Sequence, residues 1–185
     1  MNKDIVFDAL EFAVKAHRGQ YRKGTNVPYI VHPIGVGKIL IDCDCTNEVV
    51  VAGFLHDTVE DTPVTIEDIK KAFGEYVAFI VKSVSEPDKS DTWENRKKHT
   101  IEISKTAPLE VLLVEIADKL DNIKGLREAC ITDSMSVWNR FKRGKEKQEW
   151  YYRTLSQVLT ERLKQEPGLT LARQFASEVE WVFKE

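Results

Sequence analysis

The sequence predicts an all-α fold in one compact domain, and three observations predict it. Apolar residues recur at spacings of three and four in segment after segment, as the 3.6-residue turn of a helix requires. No stretch alternates apolar and polar residues, as a half-buried strand would. The connections are short and punctuated by Gly and Pro, with no linker, repeat or low-complexity tract. At 185 residues and 42% hydrophobic content, the chain suits a single domain with a real core, read here as residues 1–185.

Taken in order, Asp4 is placed to cap a first helix running to about Arg18, with Ile5, Val6, Ala9, Leu10, Ala13 and Ala16 at helical spacing. Gly19 ends it, and Gln20 to Pro28 is a polar loop. Pro33 stands in the first turn of a second helix that carries Val36, Ile39, Leu40 and Ile41 and ends between Asp42 and Thr46. Asn47 is the expected cap of a central helix from Glu48 to about Glu60, broken by Thr62-Pro63. Thr65 to Asp68 resembles a capping box and opens a short helix to Phe73. Gly74 stops it, Tyr76 to Val84 is helical again, and Ser85 to Asp91, with Pro87, is a loop. Thr92 to Lys105 forms a charged helix. Pro108 to about Ala129 forms a long one with a strongly apolar start. Ser134 to Lys164 is expected as the longest. Pro167-Gly168 separates it from a last amphipathic helix, Leu169 to Phe183.

Composition excludes several function classes. The formal net charge of -3 gives no overall pull toward nucleic acid or an anionic membrane. No apolar run is long enough to cross a bilayer, and the N-terminus lacks the basic and apolar regions of a signal peptide. Three cysteines, two of them at Cys43 and Cys45, suit a reducing cytoplasm better than a disulfide framework.

The chemistry concentrates in Phe54-Leu55-His56-Asp57-Thr58-Val59-Glu60-Asp61-Thr62. On a helix, His56 shares a face with Glu60, and Asp57 with Asp61. His32, before Pro33, stands where a loop meets a helix and can reach a neighbouring one. Asp118 follows an apolar run, and Asn122 lies one turn later on the same face; ordinary salt bridges would also account for Asp118 and Asp121. His17 and His99 read as structural or solvated. Together, His32, His56, Asp57 and Asp118 make two imidazoles and two carboxylates. That mixture suits Mn²⁺, Fe²⁺ or Zn²⁺ and leaves positions open for water or substrate. Two carboxylates just balance the charge of such an ion, where four would make the site anionic, so it can still polarise phosphate oxygens and acidify water.

The segments His17 to Lys23, Pro28 to Val36, Leu55 to Thr62 and Ile116 to Asn122 resemble, in order and spacing, the HD phosphohydrolases. Within them they are most similar to the hydrolase domain of the RelA/SpoT family. The likeness covers nearly the whole chain and has the form of the stand-alone small alarmone hydrolases, the Mesh1 type of animals. It implies Mn²⁺-dependent removal of the 3′-diphosphate from guanosine tetra- or pentaphosphate (ppGpp or pppGpp), giving GDP or GTP and pyrophosphate. It implies His32, His56, Asp57 and Asp118 as metal ligands, and Glu60 and Asp61 as the pair that serves the water and the leaving oxygen, in an order left open. It also implies Arg22, Lys23, Asn122, Arg96, Lys97 and Tyr151 as nucleotide contacts. Asp121 departs from the family, which often has a histidine or an aromatic residue there; an effect on nucleotide selectivity is one reading. The basic run Arg140 to Lys147 is expected to supply some side chains to the pocket rim, a solvated helix face being the alternative. Two other functions stay open: phosphate removal from another nucleotide such as NADPH, and nucleotide sensing without cleavage.

Overall fold

The computed structural model describes residues 4–86, 89–132 and 137–184. Among them are ten α-helices, one 3₁₀ turn and no β-strand. The helices are α1 (Ile5–Ala16), α2 (Val31–Asp42), α3 (Asn47–Leu55), α4 (Thr58–Asp61), α5 (Ile66–Phe73), α6 (Glu75–Val84), α7 (Trp93–Ser104), α8 (Leu109–Thr132), α9 (Gly144–Arg162) and α10 (Gly168–Val182).

Two helices make the centre. Every residue of α3 from Val49 to Leu55 is buried, as expected of a helix that is apolar all round. The first half of α8 is similar, with Val111 to Ala117 buried. Helices α1, α2, α6 and α8 pack on α3, while α2, α3, α6 and α10 pack on α8. Helix α9 joins α7 to α10 on one flank. Helices α2 and α3 meet through glycine. A Cβ at Gly37 would come within 2.4 Å of the Phe54 ring, and one at Gly53 within 2.4 Å of Leu40. This crossing sets the spacing between His32 on α2 and His56 at the end of α3.

The loop between α1 and α2 is also fixed. An isolated antiparallel bridge pairs Tyr21 with Pro28, and the Arg22 N–H donates to Val27 O at 2.8 Å. The capping box at Thr65 is present: its hydroxyl accepts from the Asp68 N–H, and Asp68 accepts from the Thr65 N–H. At the start of α7 the Thr92 hydroxyl accepts from the Asn95 N–H. Thr46, rather than Asn47, occupies the cap position of α3.

Two expected helices are divided. The central helix does not run from Glu48 to Glu60; it ends at Leu55 and restarts at Thr58. Side chains take over the carbonyls that the next turn would use. His56 Nδ1–H donates to Gly53 O at 2.8 Å, and the Thr58 hydroxyl donates to Leu55 O at 2.7 Å. The second division lies in the expected helix from Ser134 to Lys164, whose start at Ser134 is outside the described residues, as is Pro87. Val137–Arg140 is a 3₁₀ turn, and α9 begins only at Gly144. Gly144 has φ +68°, a conformation that glycine adopts without a Cβ clash.

Candidate active site

The break after α3 aims two consecutive side chains at one point. His56 is the last residue before the chain turns, and Asp57 the first of the turn leading into α4. The His56 Nε2 atom lies 3.0 Å from Asp57 Oδ2. From α2, His32 Nε2 reaches to 3.5 Å from the same oxygen and 3.1 Å from Asp118 Oδ1 on α8. His56 Nε2 is 3.9 Å from that Asp118 oxygen. Three segments far apart in sequence thus bring His32, the adjacent His56 and Asp57, and Asp118 together. Ligand atoms of His32, His56 and Asp118 lie within 4.8 Å of one another.

Each of these side chains is held by a further group. His56 Nδ1–H is committed to Gly53 O, so in the neutral ring Nε2 carries the lone pair. His32 Nδ1 is 2.6 Å from Asp121 Oδ2, an arrangement that in the neutral ring likewise leaves the Nε2 lone pair facing the carboxylates. The Tyr29 hydroxyl donates to Asp57 Oδ2 at 2.6 Å. Asn122 and Lys119 both donate to Asp118. Imidazole lone pairs facing carboxylate oxygens repel unless a positive charge sits between them. His56 Nε2 is buried without a hydrogen-bond partner. A divalent cation fits this need and this mixture of nitrogen and oxygen donors.

The titration behaviour describes the same demand. Burial alone would lower the His56 pKa, but the neighbouring Asp57 carboxylate outweighs it and pushes the value up to about 9. Burial would raise Asp57, and the imidazolium beside it instead holds the carboxyl far below the usual range. Asp118 is held down against burial by Lys119 and the two histidines. Without a cation, protons fill the role; a cation bound there would displace them.

These residues form the floor of a cavity of about 230 Å³. Glu60 and Asp61 are on its wall, carried by α4. Glu60 Oε2 accepts from the Glu86 N–H at 3.1 Å, and Lys89 reaches Asp61 Oδ1 at 2.6 Å and Glu60 Oε1 at 3.3 Å. Arg22, Asn122, Arg96 and Lys97 also line the cavity. Arg22 donates to the Asn122 side-chain oxygen at 3.1 Å, joining the loop to α8. Arg96 stands 3.8 Å from Glu86, and its buried Nε has no hydrogen-bond partner. Burial and the nearby Lys119 bring the Lys97 ammonium down to about 8.

Two expected contacts lie elsewhere. Lys23 is exposed in the turn after Arg22 and is not on the cavity wall. Tyr151 is buried behind the wall, where its ring supports Lys97 at 4.8 Å. No residue of the basic run Arg140 to Lys147 lines the cavity. Arg143 is engaged by Glu94 at 3.3 Å, and Lys145 lies over Trp138.

The cavity has lining residues that the sequence did not single out: Tyr29, Lys119, Glu115 and Glu86. Tyr29 and Lys119 sit inside the motif strings, beside residues that were. Glu115 is buried, accepts from Ser104, and is pushed up in pKa by burial. A lone carboxylate within an apolar helical run was the signal for it.

The HD domain family matches residues 9–145. A mouse protein named guanosine-3′,5′-bis(diphosphate) 3′-pyrophosphohydrolase MESH1 is 36% identical over 178 residues, 90% of this chain and 96% of that protein. An Aquifex aeolicus protein named guanosine-3′,5′-bis(diphosphate) 3′-pyrophosphohydrolase is 40% identical over 122 residues. That alignment takes in 64% of this chain but spans only 17% of the Aquifex protein. Among solved structures, a metazoan SpoT ortholog described as hydrolysing ppGpp superimposes with a TM-score of 0.77 at 29% identity, covering 96% of this chain and 95% of that one.

Proposed function

Because the chain belongs to the HD-domain family, we propose that it removes the 3′-diphosphate of ppGpp or pppGpp, releasing pyrophosphate and GDP or GTP. Similarity to MESH1 over nearly the full length of both proteins supports this substrate. The observation that carries it is the convergence of His32, His56, Asp57 and Asp118 beneath a cavity walled by Glu60, Asp61 and several cations.

In this reading His32, His56, Asp57 and Asp118 hold Mn²⁺ or another divalent ion. When bound, the ion supplies positive charge against the phosphoryl oxygens and acidifies a water. The protein does the rest. The Gly53 carbonyl and Tyr29 hydroxyl keep His56 and Asp57 aligned. Glu60 and Asp61 line the same cavity; one takes a proton from the attacking water and the other gives one to the leaving oxygen. Arg22, on its bridged loop and tied to Asn122, receives the nucleotide. Arg96 and Lys97 receive its outlying phosphates, Arg96 with a donor that is unpaired in the free protein. Tyr151 acts by supporting Lys97 from behind.

The whole chain, residues 1–185, then acts as one hydrolase domain. Its place of action is the cytoplasm, in keeping with three cysteines that form no disulfide. Its partner is the small nucleotide rather than nucleic acid or membrane; among the described residues no helix is long and apolar enough to cross a bilayer.

The test is direct. Purified protein with Mn²⁺ releases pyrophosphate from ppGpp, and a chelator stops it. Side-by-side rates on NADPH and ppGpp decide the substrate. Faster phosphate release from NADPH, or tight ppGpp binding with no product, overturns the reading.

A further inference from the structure

Asp121 lies inside the motif strings, and the proposed ligand set gives it no task. The structure places it against His32. Its Oδ2 atom is 2.6 Å from His32 Nδ1, and the His32 side chain is only 2% exposed. Nδ1 and Nε2 point to opposite sides of an imidazole ring. Asp121 is therefore on the side away from Asp57 and Asp118, where it cannot share their ion.

We propose that Asp121 is a positioning residue that fixes the tautomer and orientation of His32 for metal binding. This rests on the reading that the four-residue centre holds a divalent cation. An ionised carboxylate accepts only, so Nδ1 must carry the proton and Nε2 must present its lone pair to the centre. The carboxylate also makes the imidazole a more basic ligand. His56 obtains the same result from the Gly53 carbonyl, so the two histidines are oriented by different means.

A second, separate feature fits this role. A Cβ built on Gly35 would fall 2.0 Å from Asp121 Oδ1 and 2.9 Å from its Cγ. The missing side chain at position 35 is the space the carboxylate occupies. Gly35 lies three residues beyond His32 on α2, and Asp121 is on α8, so the pair forms at the crossing of those helices. Arg22 Nη2 stands 4.0 Å from Asp121 Oδ2, which links the nucleotide loop to the same carboxylate.

Metal affinity of the full chain, measured by titrating chelator-stripped protein with Mn²⁺ and with Co²⁺ in the absence of nucleotide, tests this. Asp121→Ala should bind about 10- to 100-fold more weakly. Asp121→Asn, which keeps an acceptor oxygen, should recover part of the loss. Gly35→Ala should weaken binding while leaving every carboxylate in the chain. The visible spectrum of the Co²⁺ form should keep the wild-type coordination number in Asp121→Asn. At saturating Mn²⁺, Asp121→Ala should regain most of its kcat, as a damaged active site would not. A folded Asp121→Ala protein with wild-type metal affinity overturns the proposal. So does a changed Co²⁺ coordination number in Asp121→Asn, which would make Asp121 a ligand, and so does wild-type protein that binds neither ion. The nucleotide reading fails separately: a protein that passes every metal test and leaves ppGpp intact refutes that reading and not this one.

Discussion

The two sides of the cavity are built differently. On the floor, His32, His56, Asp57 and Asp118 each meet a second group that fixes them, and they are carried by α2, α3 and α8, which pack on one another. On the wall, Glu60 and Asp61 ride on the single turn of α4, and their chief partner is Lys89, a half-exposed side chain. The floor is preorganised by burial. The wall is held by ion pairs that water and substrate can compete for. This division suits a reaction in which an ion stays in place while nucleotide and water come and go.

The largest expected effect strikes the floor. His56→Ala should lose bound metal and lower kcat/KM on the order of 10³-fold or more, since both charge screening and water activation go together. Metal content by elemental analysis reads the first loss, and pyrophosphate release the second. A variant that keeps either one breaks the comparison. Glu60→Gln should behave differently: kcat falls by about 10²-fold or more, the usual scale for a general acid or base, with metal content unchanged. If Glu60→Gln also loses metal, floor and wall are not separate.

The cationic wall responds to pH. Burial and the nearby Lys119 hold the Lys97 ammonium down at about 8, well below the ordinary lysine value of about 10.5. Its depressed pKa means the buried charge costs stability below about pH 8, and the cost is relieved as pH rises from 8 toward 10.5. Phosphate affinity moves the other way. KM for nucleotide should rise by up to about tenfold from pH 7 to 9, and Lys97→Arg, which stays charged, should flatten that rise. The smallest effects sharpen the contrast in stability. Tyr29→Phe removes a donor from a buried carboxylate and should cost roughly 1.5–3 kcal/mol in metal-free denaturant melts. Lys89→Ala breaks a pair that is partly exposed on both sides and should cost less than about 1 kcal/mol. Equal losses would erase the distinction between the two sides.

How much of this was legible in the sequence divides along similar lines. The all-α fold, the capping box at Thr65 and the convergence of His32, the His56-Asp57 pair and Asp118 followed from periodicity and motif order. Periodicity missed the break at His56, because a helical pattern runs through it unchanged. The break depends on Thr58 and His56 capturing carbonyls of their own helix, a choice made by local geometry. The turn at Gly144 carried a sign, the glycine itself, inside a polar run that read as one helix. Tyr151 was drawn toward the pocket by the family resemblance, and the run Arg140 to Lys147 by residue type. Tyr151 backs Lys97 instead, and Arg143 is spent on Glu94. Asp121 was read as a neighbour of Asn122 in sequence, whereas its partner is His32, 89 residues away.

The glycine crossing of α2 and α3 limits how far this chain tolerates drift. One methyl group at position 37 or 53 would strike Phe54 or Leu40 and wedge apart the two helices that carry His32 and His56. Neither glycine lines the cavity. A mutant library confined to pocket positions would overlook both, and distance from the phosphate would be a poor guide to which alleles survive selection.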